Sequence, residues 1–165
     1  MSGVVAWFTG LPSSGKSTLA AEVAGELRLR GIIAVMLDSD EVRKALVPSP
    51  GYDDDSRAAL YATLARLAML LARQGHVVLV PATAHRRAFR ADARAIAPQF
   101  LEIFVDTPLE ECRRRDAKGL YAAGDAQVPG VGVAYEPPLA PEIIAHPDDD
   151  DIATGIAQRI ADLAD

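Results

Sequence analysis

Short runs of apolar residues alternate along this chain with longer stretches in which apolar residues recur every three or four positions. Val4–Phe8, Ile32–Leu37, Val77–Val80 and Leu101–Val105 are nearly all apolar, as strands are when both of their faces are buried. Between and after them lie stretches with helical spacing: Lys16–Arg28, Asp40–Leu46, Ser56–Gln74, Arg87–Ile96 and Pro108–Arg115. The third carries Leu60, Leu64, Leu67 and Leu71 on one stripe, read as core, with a seam between two copies as the alternative. Gly31 and Gly75 stand where helix C-termini need a left-handed residue. This alternation predicts an α/β fold, a mostly parallel sheet with helices on both faces.

The stretch Lys118–Pro141 breaks the pattern. It holds Gly119, Gly124, Gly130, Gly132 and four prolines without sustained periodicity, and an irregular segment of this size in a compact domain is usually a functional lid or disordered. Order returns in a last helix carrying Ile152, Ile156, Ile160 and Leu163. The preceding Asp148–Asp151 are expected to cap that helix and complement its positive end rather than bind a metal.

Composition narrows the class. A chain of 165 residues fits one domain, 1–165, and 50% apolar residues suffice for a real core. With 17 Lys+Arg against 23 Asp+Glu the net charge is −6. That balance argues against a nucleic-acid partner, which needs a basic face. No apolar run reaches the roughly 20 residues of a membrane helix, and no leader precedes Val4. The lone Cys112 excludes an internal disulfide and a cysteine-based metal site. A cytoplasmic protein acting on a small molecule is the expectation.

The candidate chemistry begins directly after the first strand. Gly10-Leu11-Pro12-Ser13-Ser14-Gly15-Lys16-Ser17 satisfies G-x-x-x-x-G-K-[ST] between a strand and a helix. Chance produces such a match in roughly 1% of chains this long. Glycines let the backbone wrap a phosphate, successive amides and the helix N-terminus supply positive charge, and Lys16 reaches the outer phosphates. Ser17 is the expected Mg²⁺ ligand, so ATP with Mg²⁺ is the implied cosubstrate. The second strand ends in Asp38-Ser39-Asp40, at the edge where ligands of open α/β sheets bind. Asp38 is expected to join Ser17 at the metal, and Asp38 or Asp40 to orient an acceptor hydroxyl; either acid could instead cap the helix that follows.

Taken together, Trp7-Phe8-Thr9-Gly10-Leu11, the loop through Lys16-Ser17-Thr18, Leu37-Asp38-Ser39-Asp40-Glu41-Val42-Arg43, Phe104-Val105-Asp106-Thr107-Pro108-Leu109-Glu110-Glu111-Cys112 and Arg115-Asp116-Ala117-Lys118-Gly119-Leu120-Tyr121 resemble the adenylylsulfate kinase (APS kinase) family. Gly130, Tyr135-Glu136 and Pro141-Glu142 follow in the family's order. The resemblance implies a three-layer P-loop kinase fold with a lid over about 116–141, a homodimer, and transfer of the ATP γ-phosphoryl group to the 3′-hydroxyl of adenosine 5′-phosphosulfate, giving PAPS in sulfate assimilation. It implies that Arg43, Arg57 and Lys118 grip the phosphosulfate nucleotide and that Tyr52 stacks on its adenine. Arg115 would stabilise the transferring phosphoryl group or stack on the ATP base.

The acceptor half departs from the family. Leu60, Ala62 and Thr63 replace an Asn and two arginines, Val128 replaces a second stacking Phe, and Gly132 replaces an Asp. Ala84-His85-Arg86-Arg87 replaces a Ser-Pro-Tyr-Arg string, so no phosphoserine can form there. His85, with Arg86, Arg87, Arg90 and Arg94, could restore anion contacts; a solvated basic helix face is the alternative for Arg90 and Arg94. Two rival functions stay open: a kinase of the same lineage with another nucleotide conjugate, sugar or alcohol as acceptor, and a non-catalytic ATP-binding relative.

Overall fold

Val4–Thr9, six residues of which every one is buried, form β1. Side chains alternate across a strand, so Val4, Ala6 and Phe8 enter one core while Val5 and Trp7 enter another. The computed structural model describes residues 2–116, 118–123, 128–146 and 148–165; Ala117 and Gly124 lie outside the described residues. After β1 come α1 (Lys16–Leu29), β2 (Val35–Met36), α2 (Ser39–Ala45), α3 (Asp54–Arg73), β3 (Val77–Pro81), α4 (Arg87–Ile96), β4 (Phe100–Val105), α5 (Leu109–Arg115), α6 (Leu120–Ala123), β5 (Ile143–Ala145) and α7 (Ile152–Ala164). The strands form one sheet in the order β2-β3-β1-β4-β5, with every pairing parallel.

Helices cover both faces, as the alternation predicted. On one side Leu19, Ala20, Val23 and Leu27 of α1 and Ile156, Ala157, Ile160 and Ala164 of α7 pack on the sheet. On the other, α3 brings Leu60, Tyr61, Leu64, Ala65, Ala68 and Ala72, and α4 adds Ala93. The stripe on α3 is therefore core at its N-terminal end, with Leu71 packed partly buried beside it. Gly31 and Gly75 follow the C-caps of α1 and α3 with φ of 78° and 92°. No helix among the described residues is long and apolar enough to cross a membrane.

The structure departs from several of these expectations. The strand expected over Ile32–Leu37 shrinks to Val35–Met36, because β2 is an edge strand paired only with β3; Ile33 is 76% exposed. An apolar run there does not report burial on two faces. The segment Lys118–Pro141 contains α6, whose start is held by Asp116, accepting from the amides of Tyr121 (3.0 Å) and Ala122 (2.9 Å). β5, too short to stand out, exists because Ile103–Val105 of β4 offer it a free edge. At α7 no aspartate side chain caps the first turn; Asp149 instead accepts from the amide of His146 at 3.2 Å.

Arg90 is neither solvated nor available to a ligand, whereas Arg94 lies on the solvent-exposed face of α4 and is held there by an ion pair. Arg90 is 2% exposed and donates to Glu102 (2.9 Å) and to the carbonyls of Ala84 and Glu136 (2.6 Å each). Arg94 is paired with Glu142, whose carboxylate also accepts from the amide of Glu102 at 2.7 Å. This network ties α4, β4 and the approach to β5 into one body. Removing one member of a buried ion pair costs about 3–5 kcal/mol because its partner is left uncompensated. Arg90→Leu is expected to lower Tm by roughly 10 °C on thermal unfolding, at about 2–4 °C per kcal/mol for a chain of this size. Arg114→Ala, which breaks a surface pair with Glu111, should shift it by about 2 °C or less.

Candidate active site

Parallel strands all point their C-terminal ends at one edge of the sheet, and there the chain assembles a cavity of about 460 Å³. The loop after β1 forms its floor. A Cβ on Gly10 would lie 2.7 Å from the carbonyl oxygen of Val105 and 2.8 Å from Ser14 Oγ, so only glycine fits where the loop leaves the strand. Gly15, at φ 98°, turns the backbone into α1 from the left-handed region. Ser14 donates its amide to the Leu11 carbonyl at 3.1 Å, and its own carbonyl accepts from Thr107 Oγ1 at 2.8 Å. Tyr121 closes the loop from outside by donating to the Pro12 carbonyl at 2.7 Å.

The electrostatics of this loop suit an anion. α1 starts with no side-chain cap and no acid in its first turn, so its orphan amides and dipole are uncompensated. The N-termini of α2 and α3, by contrast, are capped by Asp38 and Asp53. Buried Ser14 Oγ has no partner, and Lys16 Nζ folds back onto the Leu11 carbonyl at 2.8 Å. Burial pushes the Lys16 ammonium down to about 8, with Lys118 adding like-charge repulsion against the opposing pull of Asp40 and Asp38. A polyphosphate would satisfy the amides, the orphan hydroxyl and the lysine together.

The two acids at the end of β2 have separate settings. Asp38 caps α2 through Oδ1, which accepts from the Asp40 amide at 2.9 Å, while Oδ2 accepts from Ser17 Oγ at 2.5 Å. A hydroxyl and a carboxylate together are hard oxygen donors, the set Mg²⁺ takes when phosphates complete its shell. Among the described residues no group of three or more His, Cys, Asp or Glu is disposed to hold a metal by itself. Asp40 instead is paired with Lys118 across the cavity.

Of the residues expected at the site, Pro12, Ser13, Gly15, Lys16, Ser17, Thr18, Asp38, Asp40, Arg43, Tyr52, Arg57, Arg115 and Lys118 line this one cavity. Gly10, Leu11 and Ser14 belong to the loop after β1 but do not line the cavity. Arg115 reaches Glu111 at 3.0 Å, and Tyr52 stands 55% exposed at the rim. His85 is a correction: it is not part of the lining but 2% exposed, edge-on to Tyr61 and Phe89, with both ring nitrogens unpartnered. Burial, then Arg57 and Arg86, lower its pKa, so it cannot serve as a ready cation for a ligand. Arg86 pairs with Asp54 at 3.5 Å, and Arg87 donates to the Pro137 carbonyl at 2.7 Å. Neither lines the cavity.

The sequence reading missed Tyr61, Thr83, Leu120 and Pro129 in the lining. Tyr61 was legible in principle, one helical turn beyond Arg57. It also missed the anchoring of the lid's far end. Glu136 accepts from the Arg87 amide at 2.8 Å, capping α4, and Tyr135 Oη bonds Thr9 Oγ1 at 2.8 Å.

Comparison with known proteins gives the chain a family. The family model for adenylylsulphate kinase matches residues 2–146. The chain is 41% identical over 146 residues to an adenylyl-sulfate kinase of Synechococcus sp., covering 86% of this chain and 83% of that protein. It is 39% identical over 167 residues to an adenylyl-sulfate kinase of Enterobacter sp., covering 98% of this chain and 82% of that one. Among solved structures, the Mycobacterium tuberculosis APS kinase in complex with AMPPNP and APS superimposes with a TM-score of 0.87 at 38% identity, over 98% of this chain and 97% of that one. With the fold, the phosphate-binding loop and the match across most of its length in agreement, the chain belongs to the adenylylsulphate kinase family.

Proposed function

We propose that this chain transfers the γ-phosphoryl group of ATP to the 3′-hydroxyl of adenosine 5′-phosphosulfate, yielding PAPS. The observation that carries the reading is a single cavity lined at once by the phosphate-binding loop and by Asp40, Tyr52 and Arg57, so donor and acceptor groups share one space. Lys16 and the loop amides offset negative charge on the outer phosphates. Ser17 and Asp38 would hold Mg²⁺, which when bound neutralises phosphate charge. Asp40, or Asp38 in its place, orients the acceptor hydroxyl and accepts its hydrogen bond. Asp40 is engaged by Lys118, so an anionic acceptor that draws Lys118 to itself frees the carboxylate. Arg57, 6% exposed with Nη1 unpartnered, supplies a desolvated cation for that anion. Arg115 from α5 adds positive charge at the loop. The chain works as one domain, 1–165, a reading supported by the single sheet between two cores.

Turnover with adenosine 5′-phosphosulfate, followed as ADP release with the product identified by mass, tests the assignment. Lys16→Ala is expected to abolish it while the fold survives, and at least one of Asp38→Asn and Asp40→Asn should lower kcat more than about tenfold. Two near-wild-type aspartate variants would refute the carboxylate role.

The lowered pKa of Lys16 has a sign that calorimetry can read. Above pH 8 the free lysine is largely neutral; adjacent phosphates favour its ammonium, so ATP binding takes up a proton there and none near pH 7. Affinity should fall as pH rises through about 8. Titrations at pH 8.5 in buffers of different ionisation enthalpy should give net proton uptake for the wild type and none for Lys16→Arg, which stays charged.

A homodimer is the expected assembly, supported by the family resemblance and by Leu29, Ile33 and Met36, exposed apolar side chains around the β2 edge. Light scattering after gel filtration should give twice 17.5 kDa; a monomer mass would reject it.

A further inference from the structure

Arg43 and Arg57 carry the same expectation, a grip on the acceptor's anion, yet their surroundings differ. Arg57 has a buried, unpartnered Nη1. Arg43, from the last turn of α2, spends Nη1 on the chain itself, donating to the carbonyls of Pro50 at 3.0 Å and Gly51 at 2.6 Å. A guanidinium Nη carries two hydrogens, so this atom has none left for an anion. The Arg43 carbonyl in turn accepts from Ser49 Oγ at 3.0 Å. The loop before Tyr52 is thus stapled to α2 by one arginine.

The same guanidinium lies over the ring of Tyr52, 4.1 Å from its centroid; that of Arg57 also lies over the ring, more distantly at 5.9 Å. On the other side of Tyr52 the backbone is fixed too, because Asp53 caps α3 by accepting from the Ser56 amide at 2.9 Å. One ring face is covered by a cation that is 9% exposed, while Tyr52 itself lines the cavity and is 55% exposed. A guanidinium on an aromatic face is an attractive contact, and a ring held in place loses less rotational freedom when a planar ligand group stacks on it.

Resting on the functional reading above, the geometry points to Arg43 as a positioning residue that acts on the acceptor through Tyr52: it fixes the exposed ring at the cavity to receive the acceptor's base, and leaves the anion to Arg57 and Lys118. A purely anion-gripping arginine would act independently of the ring; a positioning arginine cannot act once the ring is gone.

A double-mutant cycle on the KM for adenosine 5′-phosphosulfate separates these. Arg43→Gln and Tyr52→Leu are each expected to raise KM about tenfold, in the range of one lost base–aromatic stack, with kcat and the KM for ATP moving less than about threefold. The double variant should then stay near tenfold, since the second change removes nothing further. A double variant near a hundredfold, or an Arg43→Gln protein with unaltered KM, overturns the proposal. Should Arg43→Gln not fold, Arg43→Lys, which keeps the charge and loses the fork on the two carbonyls, enters the same cycle with the same two outcomes. An intact chain that turns over no adenosine 5′-phosphosulfate overturns the functional reading and this proposal with it, and the wild-type assay alone identifies that failure.

Discussion

The positive N-terminus of α1 is the constraint around which the site is built. A helix that begins with no side-chain cap and no acid leaves its first amides without partners, a state tolerated only where an external anion or water can meet them. The chain can hold it there because β1 is buried along its whole length between β3 and β4. That strand fixes Gly10, the loop fixes Ser14 through Thr107, and the helix is delivered to a single point at the sheet edge.

Charge is distributed around that point in matched opposition. Lys16 is destabilised by burial and by Lys118, and relieved by Asp40 and Asp38. Asp40 and Lys118 satisfy one another, and Asp38 divides its two oxygens between Ser17 and the start of α2. The Asp40–Lys118 and Asp38–Ser17 pairings join groups from different elements, so an incoming polyphosphate or acceptor anion exchanges one partner for another at these side chains. Polar networks of this kind rigidify a site when every member is satisfied and respond when one is replaced.

The arginines show how little residue type alone says. Arg90 is a structural tie to Glu102, Arg94 a partner of Glu142, Arg87 a donor to the segment leaving the lid, Arg43 a staple under Tyr52, and Arg57 a buried cation with a free nitrogen. Guanidinium forks serve carbonyls, carboxylates and anions with similar geometry, and only the surroundings decide between them.

The chain's apolar runs determined β1, β3, β4 and the covering helices, because a strand buried on both faces must be apolar throughout. The spacing of Gly10, Gly15, Lys16 and Ser17 likewise determined the phosphate loop, whose chemistry is local to a few consecutive residues. Contacts between distant segments decided the rest. The edge position of β2 cut its strand short, β4 gave β5 its partner, and the packing of α3 and α4 withdrew His85 from the cavity and buried Arg90. Such outcomes depend on which surfaces meet, and a residue's neighbours along the chain do not carry that information.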